Sequence, residues 1–298
     1  MTAASTESGA PQRAWRPLHM VALLGGNAAL ALGPWSVRLA DTGPVASGFW
    51  RLFIALPLLG MLAVISRQPL TGFPKRVWLA MAGAGLFFGL DLAAWHIGIG
   101  MTRLGNATLF GNASSLLLVA WGLITLRRLP RSNETLAFAA AVGGSAILLG
   151  RSLEVGTTTL TGDLFCLLAG LFYTFYILLL QSARANLGNW TLLFWSSAVG
   201  APLLLAMAFA LDETIIPTNW APLITLSLLS QVVGQGLLVY SLRNFSPLVI
   251  GLALLTQPVI AVLAGWLAFG ETLSWIDGIG MVLVGAALVI ARAVPQKD

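Results

Sequence analysis

The residues most able to do chemistry in this sequence are an acid, an indole and an imidazole that lie close together in one apolar stretch. Asp91 is followed four positions later by Trp95, and then by His96. A spacing of four puts Asp91 and Trp95 on one helical face, where a carboxylate beside an aromatic ring suits an amine or an aromatic ligand. We interpret Asp91 as a proton-coupling or amine-binding carboxylate. The alternative is a structural carboxylate paired with Arg51.

Trp95 and His96 also have plainer interpretations. The indole of Trp95 is equally consistent with helix packing or with anchoring at a membrane interface. The imidazole of His96 titrates near neutral pH, but a buried imidazole also commonly bonds a backbone carbonyl. Trp95 and His96 are therefore candidate ligand-binding residues with structural alternatives.

Uncharged polar residues recur in other apolar stretches. Thr108, Asn112 and Ser115 are spaced four and three apart, which places them on one helical stripe. Gln231 and Gln235 are four apart in a later stretch. Such groups together suit a zwitterionic ligand, whereas singly each is typical of an interhelical hydrogen bond. The candidate substrate-binding residues are Asn27, Asp91, Trp95, His96, Thr108, Asn112, Tyr173, Gln231, Gln235 and Gln257.

The elements that carry these residues are predicted to be transmembrane helices. Hydrophobic residues make up 57% of the 298 positions and charged residues 9%, against about 25% charged in a soluble domain. Apolar blocks of roughly 20 residues match the bilayer thickness. The sequence predicts an all-α integral membrane protein with ten transmembrane helices at about 18–38, 45–66, 76–99, 104–125, 136–150, 161–182, 190–210, 220–242, 247–269 and 273–292.

Basic residues predict the orientation of these spans. Cytoplasmic loops carry an excess of Lys and Arg. The odd-numbered connections hold only Arg38, Arg103 and Arg151. The termini and the even-numbered connections hold Arg13, Arg16, Arg67, Lys75, Arg76, Arg127, Arg128, Arg131, Arg184, Arg243, Arg292 and Lys297. We therefore predict a multi-pass protein of the cell (inner) membrane with both termini cytoplasmic.

The two halves of the chain are predicted to repeat each other in opposite orientation. At an offset of 141 residues, 144–151 falls on 285–292, and spans 4 and 5 fall on spans 9 and 10. Because each half has five spans, an odd number, the halves must cross the membrane in opposite senses. We predict a five-plus-five inverted repeat, with tails at 1–17 and 293–298 and repeats at 18–151 and 161–292. Inverted repeats are a recurrent plan of secondary transporters.

Other functional classes fit the sequence less well. The chain has two His and one Cys, and it contains no metalloprotease, nucleophile-elbow or P-loop motif. We therefore predict no enzyme activity, no metal and no cofactor. The basic residues lie between apolar blocks, which argues against nucleic acid as a partner. An intramembrane enzyme and a passive channel remain the alternatives to a carrier of a small molecule.

One segment resembles a known family. Residues 251–271 form an apolar helix with Pro258 in its middle and Gly270-Glu271 at its end. This pattern, with ten spans and a five-plus-five repeat, resembles the drug/metabolite transporter superfamily of the EamA type. The chain is also similar to aromatic amino acid exporters of the YddG type. The resemblance implies a proton- or gradient-driven carrier, often an exporter of amino acids or other metabolites. We expect its partners to be a small-molecule substrate and the lipid bilayer, and both a monomer and a homodimer remain open.

Overall fold

The computed structural model describes residues 17–102, 107, 110–125, 130–150, 159–184, 187–260, 263 and 274–292. Within these residues all regular structure is helical, which confirms the all-α prediction for the described part of the chain. The helices are α1 (Pro17–Leu39), α2 (Pro44–Ile65), α3 (Lys75–Met101), α4 (Ala113–Thr125), α5 (Ser132–Gly150), α6 (Leu160–Arg184), α7 (Asn189–Ala210), α8 (Ala221–Ser241), α9 (Pro247–Ile260) and α10 (Trp275–Arg292). Among them, α1, α2, α3, α6, α7 and α8 are long and apolar enough to cross a membrane.

These helices follow the predicted spans in order, with differences at their ends. Helix α5 begins at Ser132, four residues before the predicted start at 136. The carboxylate of Glu134 accepts a hydrogen bond of 2.7 Å from the backbone N–H of Arg131, which stabilises the earlier start. The predicted ninth span, 247–269, is described to Ile260 and at Leu263, and its remainder lies outside the described residues.

Three helices are irregular in their middle. Helix α1 is interrupted at Leu32, between segments Pro17–Ala31 and Gly33–Leu39. Helix α8 is a π-helix over Leu226–Gly234. Helix α9 leaves α-helical geometry after Leu254, four residues before Pro258. Pro has no N–H to donate to the carbonyl four residues earlier, which explains the break in α9.

Helix packing follows a pattern that relates the two halves. The main pairs are α1 with α8, α2 with α7, α3 with α6 and α7, α4 with α9, and α5 with α10. If each helix is exchanged for the one five places away, α2–α7, α4–α9 and α5–α10 map onto themselves. The same exchange converts α3–α6 into α1–α8. This pattern of helix pairs is the one expected if the two halves have similar folds and are related by a two-fold axis.

Glycines allow the closest of these approaches. A Cβ at Gly26 of α1 would lie 2.9 Å from the carbonyl oxygen of Gly234 of α8, and one at Gly144 of α5 would lie 2.7 Å from that of Gly280 of α10. Gly143, by contrast, has open space around its Cβ position. The close contact of α5 with α10 therefore involves Gly144 and Gly280, and small residues permit it.

Helices α2 and α7 are tied together at both ends by similar contacts. In the first, which we term the Glu213 clasp, the Glu213 carboxylate accepts hydrogen bonds from the backbone N–H groups of Val45 and Ala46, at 3.2 and 2.8 Å. The indole of Trp50 donates to the carbonyl of Ile215 at 2.6 Å. The residues that follow α7 thus satisfy free N–H groups at the start of α2.

The second contact, the Gln68 clasp, reverses the roles of the two helices. Gln68 follows α2, and its side-chain oxygen accepts hydrogen bonds from the backbone N–H groups of Trp190 and Thr191, at 3.0 and 3.2 Å. The indole of Trp195 donates to the carbonyl of Leu70 at 2.9 Å. The residues that follow α2 thus satisfy free N–H groups at the start of α7.

The two clasps correspond residue by residue at a constant offset of 145. Gln68 corresponds to Glu213, and Trp50 corresponds to Trp195. A Cβ added to Gly43 would collide with the side chain of Glu213, and one added to Gly188 would collide with the side chain of Gln68. The residue before each clasp side chain has a positive φ of 53°. The equivalent positions are Gly43 and Gly188, Pro57 and Pro202, and Arg67 and Asp212.

Removal of one clasp is expected to weaken the fold measurably. Gln68→Ala loses the acceptor for two backbone N–H groups at the start of α7, a loss of about 1–2 kcal/mol by analogy with helix caps. The unfolding temperature of the purified protein should fall, whereas Thr71→Ala, at an exposed position in the same connection, should leave it unchanged. Equal unfolding temperatures for Gln68→Ala and the parent protein would contradict this role.

A neighbouring contact gives a pH prediction. Asp41 accepts hydrogen bonds from the hydroxyl of Thr218 and from the N–H groups of Thr218 and Asn219. The bond from the Thr218 hydroxyl is the main cause that holds the pKa of Asp41 below its usual 3.8. A lowered folded-state pKa means that the contact is at full strength above the unfolded-state pKa and is lost as the pH falls through the lower, folded value.

The expected result is constant protection of the Thr218 and Asn219 amides against hydrogen exchange from about pH 5 to about pH 8, after correction for intrinsic rates. Protection should fall only below pH 3.8. Loss of protection between neutral pH and about pH 5 would contradict the assignment of Asp41 as the acceptor.

Candidate functional site

A cavity lies among seven of the helices. Its volume is about 110 Å³, several times the roughly 10–15 Å³ that one water needs, so it has room for a small organic molecule. It is lined by Leu30, Ala31, Pro34, Arg51, Phe88, Asp91, Leu92, Trp95, Ala107, Gly111, Asn112, Ser114, Ala169, Gly170, Tyr173, Gln235, Leu254 and Gln257.

The structure brings six of the ten predicted site residues to this cavity. These are Asp91, Trp95, Asn112, Tyr173, Gln235 and Gln257. Asn27, His96 and Gln231 are buried away from its lining. Thr108 lies outside the described residues. Residues that are distant in sequence thus bring a few polar groups to one largely apolar cavity, as expected of a ligand-binding site between helices.

Asp91 is the acid of the cavity. Its side chain is 8% exposed, and no residue in the described part of the chain donates a hydrogen bond to its carboxylate. A buried carboxylate is costly unless it is solvated or paired, and the cavity is where that partner can lie. The predicted alternative, a direct ion pair with Arg51, does not form between these two described residues.

Arg51 of α2 is the cavity residue that sequence reasoning did not select. It is 4% exposed. Its Nε donates to the side-chain oxygen of Gln231 at 3.3 Å, and its guanidinium carbon lies 5.7 Å from the ring centroid of Phe88. Its two terminal nitrogens donate to no described residue, and neither is sealed from the cavity. A lone Arg inside an apolar span is the signal that would have identified it.

The two glutamines of α8 reach different neighbours. Gln231 is fully buried and joins Arg51 to the hydroxyl of Ser197, which accepts from its Nε2 at 3.0 Å. Gln235 reaches the cavity beside Tyr173. Gln231, a predicted substrate-binding residue, therefore lies outside the lining that Gln235 joins. A π-helix separates hydrogen-bonded residues by five positions rather than four, and the α-helical spacing rule does not hold across Leu226–Gly234.

Aromatic rings form a second part of the wall. Phe88 of α3 stacks on Tyr176 of α6 with ring centroids 4.3 Å apart and an interplanar angle of 10°. The Tyr176 hydroxyl donates to Gln235 at 3.3 Å, and Gln235 donates to the Tyr173 hydroxyl at 3.4 Å. These bonds leave the Tyr173 hydroxyl proton available to a ligand. Trp95 completes the aromatic lining.

Asn27 of α1 supports the cavity from behind. Its side-chain N–H groups donate to the carbonyl of Ala253 at 2.9 Å and to the hydroxyl of Thr256 at 2.6 Å. Its side-chain oxygen accepts from Gln257 at 2.9 Å. Asn27 therefore holds the broken part of α9 and orients Gln257, which itself reaches the cavity. We assign Asn27 a positioning role rather than direct contact with a ligand.

His96 does not line the cavity. Its Nδ1 lies 2.7 Å from the carbonyl oxygen of Pro44, at the start of α2. Its Nε2 is buried and has no hydrogen-bond partner among the described residues. The expected direct role of His96 in ligand binding is therefore not supported by its position. The contact with a backbone carbonyl matches the structural alternative for this residue.

Comparisons with known proteins agree with a transporter. Residues 160–292 match the model of the EamA-like transporter family. A relative described as an uncharacterized transporter of Archaeoglobus fulgidus is 24% identical over 269 residues, covering 86% of this chain and 90% of the relative. A second with the same description and organism is 24% identical over 265 residues, covering 88% and 93%.

The fold also has a counterpart among solved structures. A protein crystal structure superposes with a TM-score of 0.76 at 14% sequence identity, covering 94% of this chain and 98% of the other. At this identity the match shows the fold alone. With the apolar helices, these comparisons support a multi-pass membrane transporter whose second half is similar to the EamA-like transporter family.

Proposed function

We propose that the chain is a secondary transporter that works by alternating access. Its two halves, residues 18–151 and 161–292, are inverted repeats that move relative to each other about the cavity. Both termini lie in the cytoplasm, and the protein resides in the inner membrane. The carrier exports amino acids or related small metabolites, with aromatic side chains favoured.

The paired clasps are the observation that carries this proposal. They join the same two helices at opposite ends, with the roles of α2 and α7 exchanged and every partner displaced by 145 residues. Because α2 and α7 each run from one clasp to the other, exchange of the halves also reverses the direction across the membrane. This is the symmetry that lets a transporter present one site to either face.

Contacts at the C-terminal end of α6 support closure of the protein toward one membrane face. Helix α6 ends at Arg184. The Nε of Arg184 donates a hydrogen bond to the carbonyl of Val239 at 3.1 Å, and its Nη1 donates one to the carbonyl of Leu187 at 2.7 Å. Gln181 donates to the carbonyl of Phe245 at 2.7 Å. By the distribution of basic residues this face is cytoplasmic. An exporter must break such contacts to load its substrate.

The lining of the cavity supports the choice of substrate. A carboxylate, a guanidinium and amide groups provide polar contacts, and three aromatic residues, Phe88, Trp95 and Tyr173, provide an apolar surface. Aromatic rings attract other rings and organic cations. A small molecule with a charged end and an aromatic end fits this division.

Counterflow in proteoliposomes tests the proposal. Vesicles loaded with unlabelled L-phenylalanine should transiently accumulate external labelled L-phenylalanine above equilibrium, with saturation, because an exchanging carrier couples the two fluxes. Protein-free vesicles provide the baseline. A passive channel would equilibrate the label without overshoot, and an intramembrane enzyme would yield a chemically altered product. Either outcome, repeated across a panel of amino acids and related metabolites, would reject the carrier.

A further inference from the structure

The cavity holds one buried cation and one buried anion that do not neutralise each other directly. Arg51 is 4% exposed and Asp91 is 8% exposed, and both line the cavity. Neither the terminal nitrogens of Arg51 nor the oxygens of Asp91 bond any described residue. Buried charges without partners are expensive, so each group faces a ligand or water within the cavity.

We infer that Arg51 binds the carboxylate, and Asp91 the ammonium group, of a zwitterionic substrate, so that the cavity selects a free α-amino acid over either a simple amine or a simple carboxylic acid. This inference rests on the proposed transport function and assigns the substrate class of the same cavity. It also assigns Arg51 as a specificity-determining residue. The sequence pattern alone indicates Arg51 only as a possible partner of Asp91.

The surroundings of Arg51 prepare it for a carboxylate. Gln231 accepts from its Nε, Ser197 holds Gln231 in turn, and the ring of Phe88 lies under the guanidinium. The outer edge of the guanidinium, with its paired terminal N–H groups, remains available. A planar guanidinium binds a carboxylate with two parallel hydrogen bonds, and a side chain held in place before binding loses little entropy.

Charge balance favours a zwitterion over a compound that carries only an ammonium group or only a carboxylate. With Arg51 and Asp91 both ionised, the charged residues of the described lining sum to zero. A zwitterion satisfies both groups and adds no net charge. An amine leaves Arg51 unsatisfied, and a carboxylic acid leaves Asp91 unsatisfied. The free-energy penalty for a buried charge without a partner therefore weakens the binding of both the simple amine and the simple carboxylic acid.

Three related compounds test the inference. L-Phenylalanine, 2-phenylethylamine and 3-phenylpropionate share the aromatic ring; the second lacks the carboxylate and the third lacks the amine. Isothermal titration of the purified protein should give L-phenylalanine a dissociation constant about 10-fold or more below those of the other two. This comparison uses the parent protein, so it decides the matter even if a variant fails to fold.

Variants should then produce a crossed pattern. In Arg51→Gln, L-phenylalanine and 2-phenylethylamine should bind within about threefold of each other, while 3-phenylpropionate stays weaker. In Asp91→Asn, L-phenylalanine and 3-phenylpropionate should bind within about threefold, while 2-phenylethylamine stays weaker. Arg76→Gln and Asp212→Asn, which remove the same charges at exposed positions, should preserve the pattern of the parent protein.

Two results with the parent protein, and one with the variants, would overturn the inference. One is binding of all three compounds by the parent protein within about threefold; the other is no binding of any of them at millimolar concentration. A uniform loss of all three compounds in folded Arg51→Gln and Asp91→Asn would also contradict it. Saturable counterflow of another solute would, in each case, leave the carrier proposal standing, whereas loss of counterflow for every solute would reject the carrier itself.

Discussion

Replacement of Asp91 with Asn is expected to abolish pH-dependent transport. Asp91 is the acid of the cavity lining in the described part of the chain. Its carboxylate can hold either a proton or a substrate ammonium group, so the two compete for one site and exchange of one for the other couples their movements. Asn has a similar size, but its neutral side chain neither takes up a proton nor carries the negative charge that pairs with an ammonium group. We expect the transport rate to fall by more than about tenfold and its dependence on pH to disappear.

The measurement is uptake into proteoliposomes across an imposed pH gradient, with Asp212→Asn as the matched control. Asp212 is exposed and has a positive φ of 53°, a conformation that Asn adopts readily. Transport by the control should match that of the parent protein. If folded Asp91→Asn transports at the parental rate with the same pH profile, Asp91 does not couple transport to protons.

Replacement of Asn27 with Leu is expected to have the largest effect on stability. Asn27 is fully buried and forms three hydrogen bonds, to the backbone of Ala253, to Thr256 and to Gln257. Each such bond contributes about 0.6–1.7 kcal/mol in membrane proteins, so their joint loss is worth about 2–5 kcal/mol. A Leu side chain also leaves the broken segment of α9 without these partners.

Thermal unfolding of the purified protein measures this effect. Asn244→Leu is the matched control, because Asn244 is partly buried and its side chain forms no hydrogen bond with the described residues. The unfolding temperature should fall for Asn27→Leu and stay near the parental value for Asn244→Leu. An equal shift for the two variants would show that the Asn27 bonds do not hold α9.

The cost of polar groups in hydrocarbon made part of the cavity predictable. Asp91, Tyr173 and Gln257 each interrupt an apolar stretch, and the structure brings all three to one cavity. Helical spacing alone linked Trp95 to Asp91, and both line that cavity. Local pattern is sufficient here because a polar residue in a membrane span must face protein or water.

Arg51 and Gln231 show where local pattern fails. Gln231 was expected at the cavity because it lies four residues from Gln235, but the π-helix of α8 directs it toward Arg51 instead. The spacing of two residues within one helix does not indicate which residues of other helices each of them contacts. The pairing of Arg51 with Gln231 joins residues 180 positions apart, and no spacing within one span encodes it.

The predicted repeat follows two different offsets in the sequence. The pairs Phe49-Trp50 and Phe194-Trp195, and Pro57 and Pro202, are separated by 145 positions. The offset of 141 that aligns spans 4 and 5 with 9 and 10 misses them by four, because the stretch between these parts is longer in the first half. The contacts of the two clasps, which involve α2 and α7, follow the offset of 145.

Accessibility of the cavity from the two membrane faces tests alternating access most directly. With Cys166, the single native cysteine, replaced by Ser, a cysteine is placed in the cavity by Ala31→Cys. A membrane-impermeant thiol reagent should label this position from the outer face and, in separate vesicles, from the cytoplasmic face, without any ion conductance. Labelling from one face only in every condition, or conductance that accompanies labelling from both, would contradict the account.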